Sequence, residues 1–93
     1  MELIDLRKQI TDILRNYPVS KAAIFGSFAK GEENRLSDID ILIESSGPIS
    51  LFQILNIEKD IKNATKRKVD IVEYSAIKPS IRKSVLKDAI RIL

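Results

Sequence analysis

Apolar residues recur along the chain with two periods, one typical of helices and one typical of strands. Residues 2–16 carry apolar side chains at three- and four-residue steps with charged residues between them, which predicts an amphipathic helix bounded by Pro18. A second stripe of this period follows Ser50 and predicts a helix over about residues 51–66, with Ser50 as its N-cap. Pro79 and Ser80 open a third helical segment.

Short apolar runs between these segments predict strands. Residues 19–25, 38–44 and 69–74 each form such a run, and residues 38–44 are the clearest because they are β-branched and alternate at first. Residues 89–93 fit a helical stripe or an edge strand, and we favour the strand. This order of elements predicts an α+β (α/β layered) fold in which helices pack on a small mixed β-sheet.

Composition limits the chemistry that this chain can perform. Its 93 residues suit one domain spanning residues 1–93. With no Cys and no His, the chain lacks disulfides, thiolate nucleophiles, imidazole bases and the metal ligands of those types. Carboxylates, hydroxyls, amines and a metal ion bound through oxygen remain. The N-terminus lacks a signal-peptide pattern and no apolar run is long enough to span a bilayer, so we expect a cytoplasmic protein without membrane contact.

Charge is distributed unevenly along the sequence. Residues 62–93 hold nine Lys or Arg against three Asp or Glu, whereas residues 1–61 carry a net negative charge. The basic third could face an anionic partner, although solvated helix faces are the commoner reason for such a pattern. The apolar C-terminus either closes the sheet as an edge strand or docks on another chain. We expect a partner surface within residues 78–93 that includes Arg82 and Lys83.

The first candidate for chemistry is Gly26-Ser27, directly after the first predicted strand. Glycine lets a ligand approach the main chain, and serine offers an N–H and a hydroxyl to a phosphate. The spacing of Gly26 and Gly31 also matches a P-loop, but Glu32-Glu33 stand where that motif requires Lys-Ser/Thr, which excludes it. Alone, Gly-Ser after a strand is more often a plain turn.

Two further candidates are acidic. Asp38 and Asp40 are two residues apart on a predicted strand, so their carboxylates point to the same face, roughly 6.6 Å apart along the backbone. Carboxylates this close repel one another, and a divalent cation such as Mg²⁺ relieves the repulsion. Asp70 interrupts an apolar strand, where a carboxylate is costly unless paired or bound to a metal. Each motif alone also fits a solvated start of a strand.

The three motifs together resemble the nucleotidyltransferase superfamily related to DNA polymerase beta. More narrowly, the chain resembles the minimal nucleotidyltransferase (MNT) proteins encoded beside HEPN partners. The resemblance rests on the segments 26–31 (Gly-Ser-Phe-Ala-Lys-Gly) and 37–43 (Ser-Asp-Ile-Asp-Ile-Leu-Ile) and extends over essentially the whole chain. It implies a polymerase beta-like palm fold and a reaction that releases pyrophosphate and leaves a nucleoside monophosphate on an acceptor.

The resemblance also implies roles for the phosphate-binding residues. Gly26 and Ser27 would hold the triphosphate of the substrate ATP, with Lys30 as a further contact to the nucleotide. The family usually has Arg at the position of Lys30. Lysine keeps the charge but loses the planar fork that grips phosphate with two hydrogen bonds, so this contact is expected to be weaker.

For the acidic residues, the resemblance implies a magnesium-dependent catalytic site. Asp38 and Asp40 would coordinate Mg²⁺, and Asp70 would complete the metal site and act as general base on the acceptor hydroxyl. These roles agree with the charge neutralisation and positioning that phosphoryl-type transfer requires.

The resemblance further implies a partner. In the related toxin–antitoxin pairs, the MNT protein is the antitoxin and modifies a tyrosine of the HEPN toxin, with which we expect a hetero-oligomer. The small size supports a protein acceptor, since larger relatives carry extra domains for their acceptors, and direct nucleic-acid binding is not expected. Two alternatives stay open: an antitoxin that inhibits only by occlusion, and a nucleotidyltransferase subunit for a small-molecule acceptor.

Overall fold

The computed structural model describes residues 3–26, 29, 31 and 38–93. Each helix and strand that the sequence pattern predicts in these ranges is present, with ends displaced by one or two residues at most. The described part of the chain contains no helix long and apolar enough to cross a membrane. In chain order the elements are α1 (Leu3–Leu14), β1 (Val19–Phe25), β2 (Ile39–Ser45), α2 (Leu51–Thr65), β3 (Val69–Glu73), a 3-10 turn (Tyr74–Ala76), α3 (Pro79–Asp88) and β4 (Ile90–Arg91).

The four strands form one mixed sheet in the order β3-β2-β1-β4. β1 is antiparallel to both β2 and β4, whereas β2 and β3 are parallel and joined by α2. A parallel pair needs a crossover of this length, and a helix is its usual form. Because β1 runs against β2 while β3 runs with it, the end of β1 and the starts of β2 and β3 lie at the same end of the sheet.

One face of the sheet, here called the packed face, is covered by α1 and α2. Ile39, Ile41 and Ile43 of β2 point to this face and are completely buried. They meet helical side chains that recur at the three- and four-residue steps seen in the sequence, so the predicted amphipathic stripes form the core. The buried cluster consists of Leu6, Ile10, Leu14, Ala22, Ile24, Ile39, Ile41, Ile43, Ile57, Ile61 and Val69.

The opposite face, here called the α3 face, is covered more thinly. Its buried cluster is Ala23, Leu42 and Ile77. α3 has no buried residue, and Ile81 on this helix is 49% exposed. The sheet therefore has one face that supplies a continuous core and one that is only partly closed.

The two ends of α2 fix its place between β2 and β3. Ser50 is the N-cap, as the sequence predicts: its hydroxyl accepts a hydrogen bond from the Gln53 N–H, and the Gln53 side chain accepts one from the Ser50 N–H. This capping box satisfies two backbone donors that a helix start leaves unpaired. At the other end, Lys66 adopts the left-handed conformation with φ of 59° and donates its N–H to Lys62, which turns the chain into β3.

The C-terminus closes the sheet. Ile90 and Arg91 pair with β1 as β4, and the backbones of Ile92 and Leu93 exchange hydrogen bonds with Ala22. The strand predicted for residues 89–93 is therefore confirmed over Ile90–Arg91, and these residues complete this protein's own sheet. Arg82, which the sequence predicts to contribute to a partner surface, is exposed and donates from Nη2 to the carbonyls of Tyr74 and Ile77 at 3.2 and 3.4 Å.

Candidate functional site

The predicted acidic residues meet at one end of the sheet. Asp38 lies directly before β2, Asp40 is the second residue of β2 and Asp70 the second of β3. Asp40 pairs in register with Asp70 on one side and with Phe25, the residue before Gly26, on the other. Three adjacent strands thus bring Gly26, Asp38, Asp40 and Asp70 together at what we call the acidic end, beside the α3 face.

The neighbouring negative charges affect Asp40. Burial raises the pKa of Asp40 above its usual value, and the charges of Asp70 and then Asp38 raise it further. The Nζ of Lys68 lies 4.0 Å from Oδ2 of Asp38, but the two side chains are 71% and 42% exposed, and pairs in contact with solvent stabilise little. The acidic end is therefore a concentration of negative charge that a bound cation would relieve.

Two features require glycine at position 26: its backbone conformation and its closeness to Asp40. Its φ is +73°, a conformation that residues with a side chain rarely adopt. In addition, a Cβ atom at this position would collide with Oδ2 of Asp40. Glycine therefore lets the backbone at residue 26 lie directly against the Asp40 carboxylate.

The donor atoms at the acidic end suit a hard cation. All three predicted ligands are carboxylates, and carboxylate oxygens are the protein ligands that Mg²⁺ takes. Within residues 3–26, 29, 31 and 38–93, however, no three such side chains are gathered closely enough to enclose a metal ion. The fold thus brings the predicted ligands to one place without closing a metal centre around them.

Two of the predicted phosphate-binding residues, Ser27 and Lys30, lie outside the described residues. Their roles stay predictions. Gly26, the third, is placed against Asp40 as described above, so the predicted phosphate turn begins at the acidic end.

Two cavities flank the acidic end, and sequence reasoning identified neither. One, of about 330 Å³, lies between the α3 face and α3. The other is a groove of about 400 Å³ between α2 and β3, which includes Asp70. The apolar cavity is lined by Phe25, Leu42, Val72, Ala76, Ile77, Lys78, Ile81 and Val85, and the groove by Leu55, Glu58, Lys59, Lys62, Lys68, Val69 and Asp70.

The strand pattern contains a signal for the apolar cavity, because Leu42 and Val72 follow Asp40 and Asp70 by two residues and so share their face. A larger cavity of about 450 Å³ lies against α1, lined by Arg7, Lys8, Thr11, Asp12, Arg15 and Ile92. Its lining includes none of the residues of the acidic end, so we do not assign it to the site.

The amino-acid sequence matches known proteins over nearly its whole length. Residues 8–93 match the family described as polymerase beta, nucleotidyltransferase. A candidate protein adenylyltransferase of Methanocaldococcus jannaschii is 31% identical over 93 residues, which are 100% of both chains. The protein adenylyltransferase MntA of Thermococcus cleftensis is 28% identical over 81 residues, covering 87% of this chain and 82% of the relative.

Solved structures share the fold. The structure of a candidate minimal nucleotidyltransferase superposes with a TM-score of 0.83 at 27% identity, covering 97% of this chain and 95% of that chain. A toxin–antitoxin structure with AMP-PNP gives a TM-score of 0.81 at 20% identity, covering 94% and 72%. A complex of tri-AMPylated Shewanella oneidensis HEPN toxin with MNT antitoxin gives 0.74 at 16% identity, covering 97% and 71%.

Proposed function

This chain belongs to the polymerase beta nucleotidyltransferase family, and from that premise we propose that it transfers AMP from ATP to a hydroxyl of a partner protein. The partner is a HEPN-type toxin, the acceptor is a tyrosine, and the chain acts as its antitoxin. The observation that carries the proposal is the meeting of Gly26, Asp40 and Asp70 on three neighbouring strand ends. A donor nucleotide, its counter-ion and an acceptor all have a place there.

The turn that begins at Gly26 holds the β- and γ-phosphates of ATP. Gly26 offers close backbone approach because no side chain occupies the space against Asp40. Ser27 contributes its N–H and hydroxyl, and Lys30 adds a positive charge. These groups fix the triphosphate so that its α-phosphorus lies at Asp40, and positioning of this kind supplies much of the acceleration in phosphoryl-type transfer.

The carboxylates perform the remaining chemistry. Asp38, Asp40 and Asp70 are the residues that would hold Mg²⁺, and the ion would supply charge neutralisation at the phosphates. Asp70 also accepts the proton of the acceptor hydroxyl. The acceptor oxygen forms a bond to the α-phosphorus, the bond from that phosphorus to the bridging oxygen breaks, and pyrophosphate leaves.

The exposed edge of β3 gives the acceptor its route to Asp70. Asp70 is exposed and lies in the groove that Lys59, Lys62 and Lys68 also line. A partner segment that carries acidic residues beside the acceptor hydroxyl would be drawn to these lysines. Two named relatives support a partner of this kind: a protein adenylyltransferase MntA and an MNT antitoxin in complex with an AMPylated HEPN toxin. With ATP as donor, the reaction belongs in the cytoplasm.

The test is transfer to the purified partner. We would incubate the protein with Mg²⁺, labelled ATP and the HEPN-type product of the neighbouring gene, then measure the intact mass of that product. The expected result is a mass gain of one or more AMP groups that requires Mg²⁺ and disappears when the acceptor tyrosine is replaced by Phe. Inhibition of the partner without any mass gain would contradict the enzyme and support an antitoxin that acts by occlusion.

A further inference from the structure

The apolar cavity beside the acidic end has no role in the proposed reaction as described so far. Phe25, Leu42 and Val72 from three adjacent strands form one wall, and Ile81 and Val85 of α3 form the opposite wall. Its volume of about 330 Å³ falls within the usual size range of small-molecule sites. A cavity with these walls favours a flat apolar or aromatic group over a charged one.

The cavity lies at a fixed offset from the carboxylates. Leu42 and Val72 pair in register, two residues after the Asp40–Asp70 pair. Two residues advance a strand by roughly 6.6 Å, so the wall formed by the strands begins about that distance from the Asp40–Asp70 pair. Phe25, which directly precedes Gly26, belongs to the same wall of the cavity. A nucleotide whose phosphates lie at the acidic end would therefore carry its base, one ribose away, over Leu42 and Val72.

The acceptor side chain has a different place. Asp70, the proposed base for the acceptor hydroxyl, lines the groove between α2 and β3 and is absent from the lining of the apolar cavity. An aromatic acceptor reaching Asp70 along that groove leaves the cavity free. We propose that the cavity between the α3 face and α3 is the nucleobase subsite; this inference rests on the proposed function, because it needs the triphosphate at Gly26.

This assignment predicts how the protein chooses among nucleotides. Among the described residues that line the cavity, Lys78 alone has a side chain with a hydrogen-bonding group. Apolar walls select a base by its shape and by the area it buries, because they form no hydrogen bonds with its polar edges. ATP and GTP should therefore bind within about tenfold of each other, and CTP and UTP more weakly because their rings bury less area. A preference for ATP over GTP of more than about 100-fold would require side chains that form hydrogen bonds with the base, and it would overturn the subsite.

The decisive experiment separates the base from the phosphates. Affinities of ATP and of inorganic tripolyphosphate, both with Mg²⁺, are measured by calorimetry for the unchanged protein and for Val85→Phe, which fills the cavity. ATP should bind Val85→Phe at least about tenfold more weakly, which is about 1.4 kcal/mol, whereas tripolyphosphate should bind both equally. Leu86→Phe is the matched control, since Leu86 is the next residue on α3 and does not line the cavity; it should change neither affinity.

A second variant tests the subsite if Val85→Phe does not fold. Ile81 lines the cavity but is 49% exposed, so Ile81→Ala should fold normally and weaken ATP a few-fold without affecting tripolyphosphate. Unchanged ATP affinity in both variants, or a rise only in the KM for the protein acceptor, would overturn the subsite. If the unchanged protein binds neither ATP nor tripolyphosphate, the phosphate site fails, and the proposed function falls together with the subsite.

Discussion

The two faces of the sheet differ in how tightly they are packed, and the proposed chemistry lies on the less tightly packed one. On the packed face, α1 and α2 cover Ile39, Ile41 and Ile43 so completely that none is exposed. On the α3 face, the same strand presents Asp40 and Leu42, and the helix above them has no buried residue. Because side chains of a strand alternate between faces, seven residues of β2 serve both purposes. A site that must admit a nucleotide and an acceptor cannot also be a closed core.

The largest expected difference between the faces is in stability. Ile61 of α2 is completely buried, whereas Ile81 of α3 is 49% exposed. Ile61→Ala should lower the free energy of unfolding by about 2–5 kcal/mol, and Ile81→Ala by less than about 1 kcal/mol. Urea unfolding of the two variants measures this directly. Similar losses for both would mean that α3 packs as tightly as α2 and would remove the distinction between the faces.

The next effect concerns the turn at the acidic end. Gly26→Ala adds a Cβ at φ of +73° that collides with the Asp40 carboxylate, so it should lower AMP transfer by about tenfold or more. The backbone strain should also cost about 1 kcal/mol or more of stability. Gly47→Ala is the control, because a Cβ there meets no atom within 4 Å, and it should leave transfer unchanged. Full transfer by Gly26→Ala would exclude close contact between this turn and the nucleotide.

A smaller effect should distinguish the groove from the surface of α3. Lys59→Glu reverses a charge in the groove beside Asp70 and should slow association with an acidic partner surface several-fold, with a lower salt dependence. Lys83→Glu tests the surface predicted from the sequence, residues 78–93, where Arg82 is already engaged with two carbonyls. Stopped-flow association rates should fall more for Lys59→Glu. The opposite order would favour the α3 surface as the docking site.

The smallest effect lies on the packed face and depends on pH. The Tyr17 hydroxyl donates a 2.5 Å hydrogen bond to Asp60 of α2, which together with burial raises the pKa of Tyr17 to about 12. A raised pKa means that this contribution is complete below pH 10 and is lost as the pH rises toward 12. Tyr17→Phe should cost about 0.5–1.5 kcal/mol at pH 8. Equilibrium unfolding should show this difference shrinking above pH 10; a constant difference up to pH 11.5 would contradict the assignment.

The fold was largely predictable because its signals are local. Alternation in residues 38–44 and the Ser50 cap each specify an element through neighbouring residues, and both predictions are confirmed. The resemblance to polymerase beta-like nucleotidyltransferases is confirmed by the family match and the shared fold. The C-terminus was ambiguous because residues 89–93 fit two periods, and pairing with β1, a tertiary contact, decided for the strand.

The candidate site was predictable only in part. Two-residue spacing put Asp38 and Asp40 together, but nothing local showed that Asp70 would pair in register with Asp40 across two strands. The collision that excludes a side chain at Gly26 also depends on strand pairing. The two cavities are lined by apolar, lysine and acidic residues from separate elements, so they form only when the sheet and helices are assembled.

The most direct test of the account uses two neighbouring residues of β2 that point to opposite faces. AMP transfer to the partner is measured for Asp40→Asn and Ile41→Ala at a temperature where both are folded. Thermal unfolding of each variant is measured separately. Burial and the nearby Asp70 and Asp38 disfavour ionised Asp40, so Asp40→Asn should melt at or slightly above the unchanged protein while transfer falls by about 100-fold or more. Ile41→Ala should melt far lower and keep most of its transfer per folded molecule. Full transfer by Asp40→Asn would contradict the central claim that the acidic end performs the chemistry.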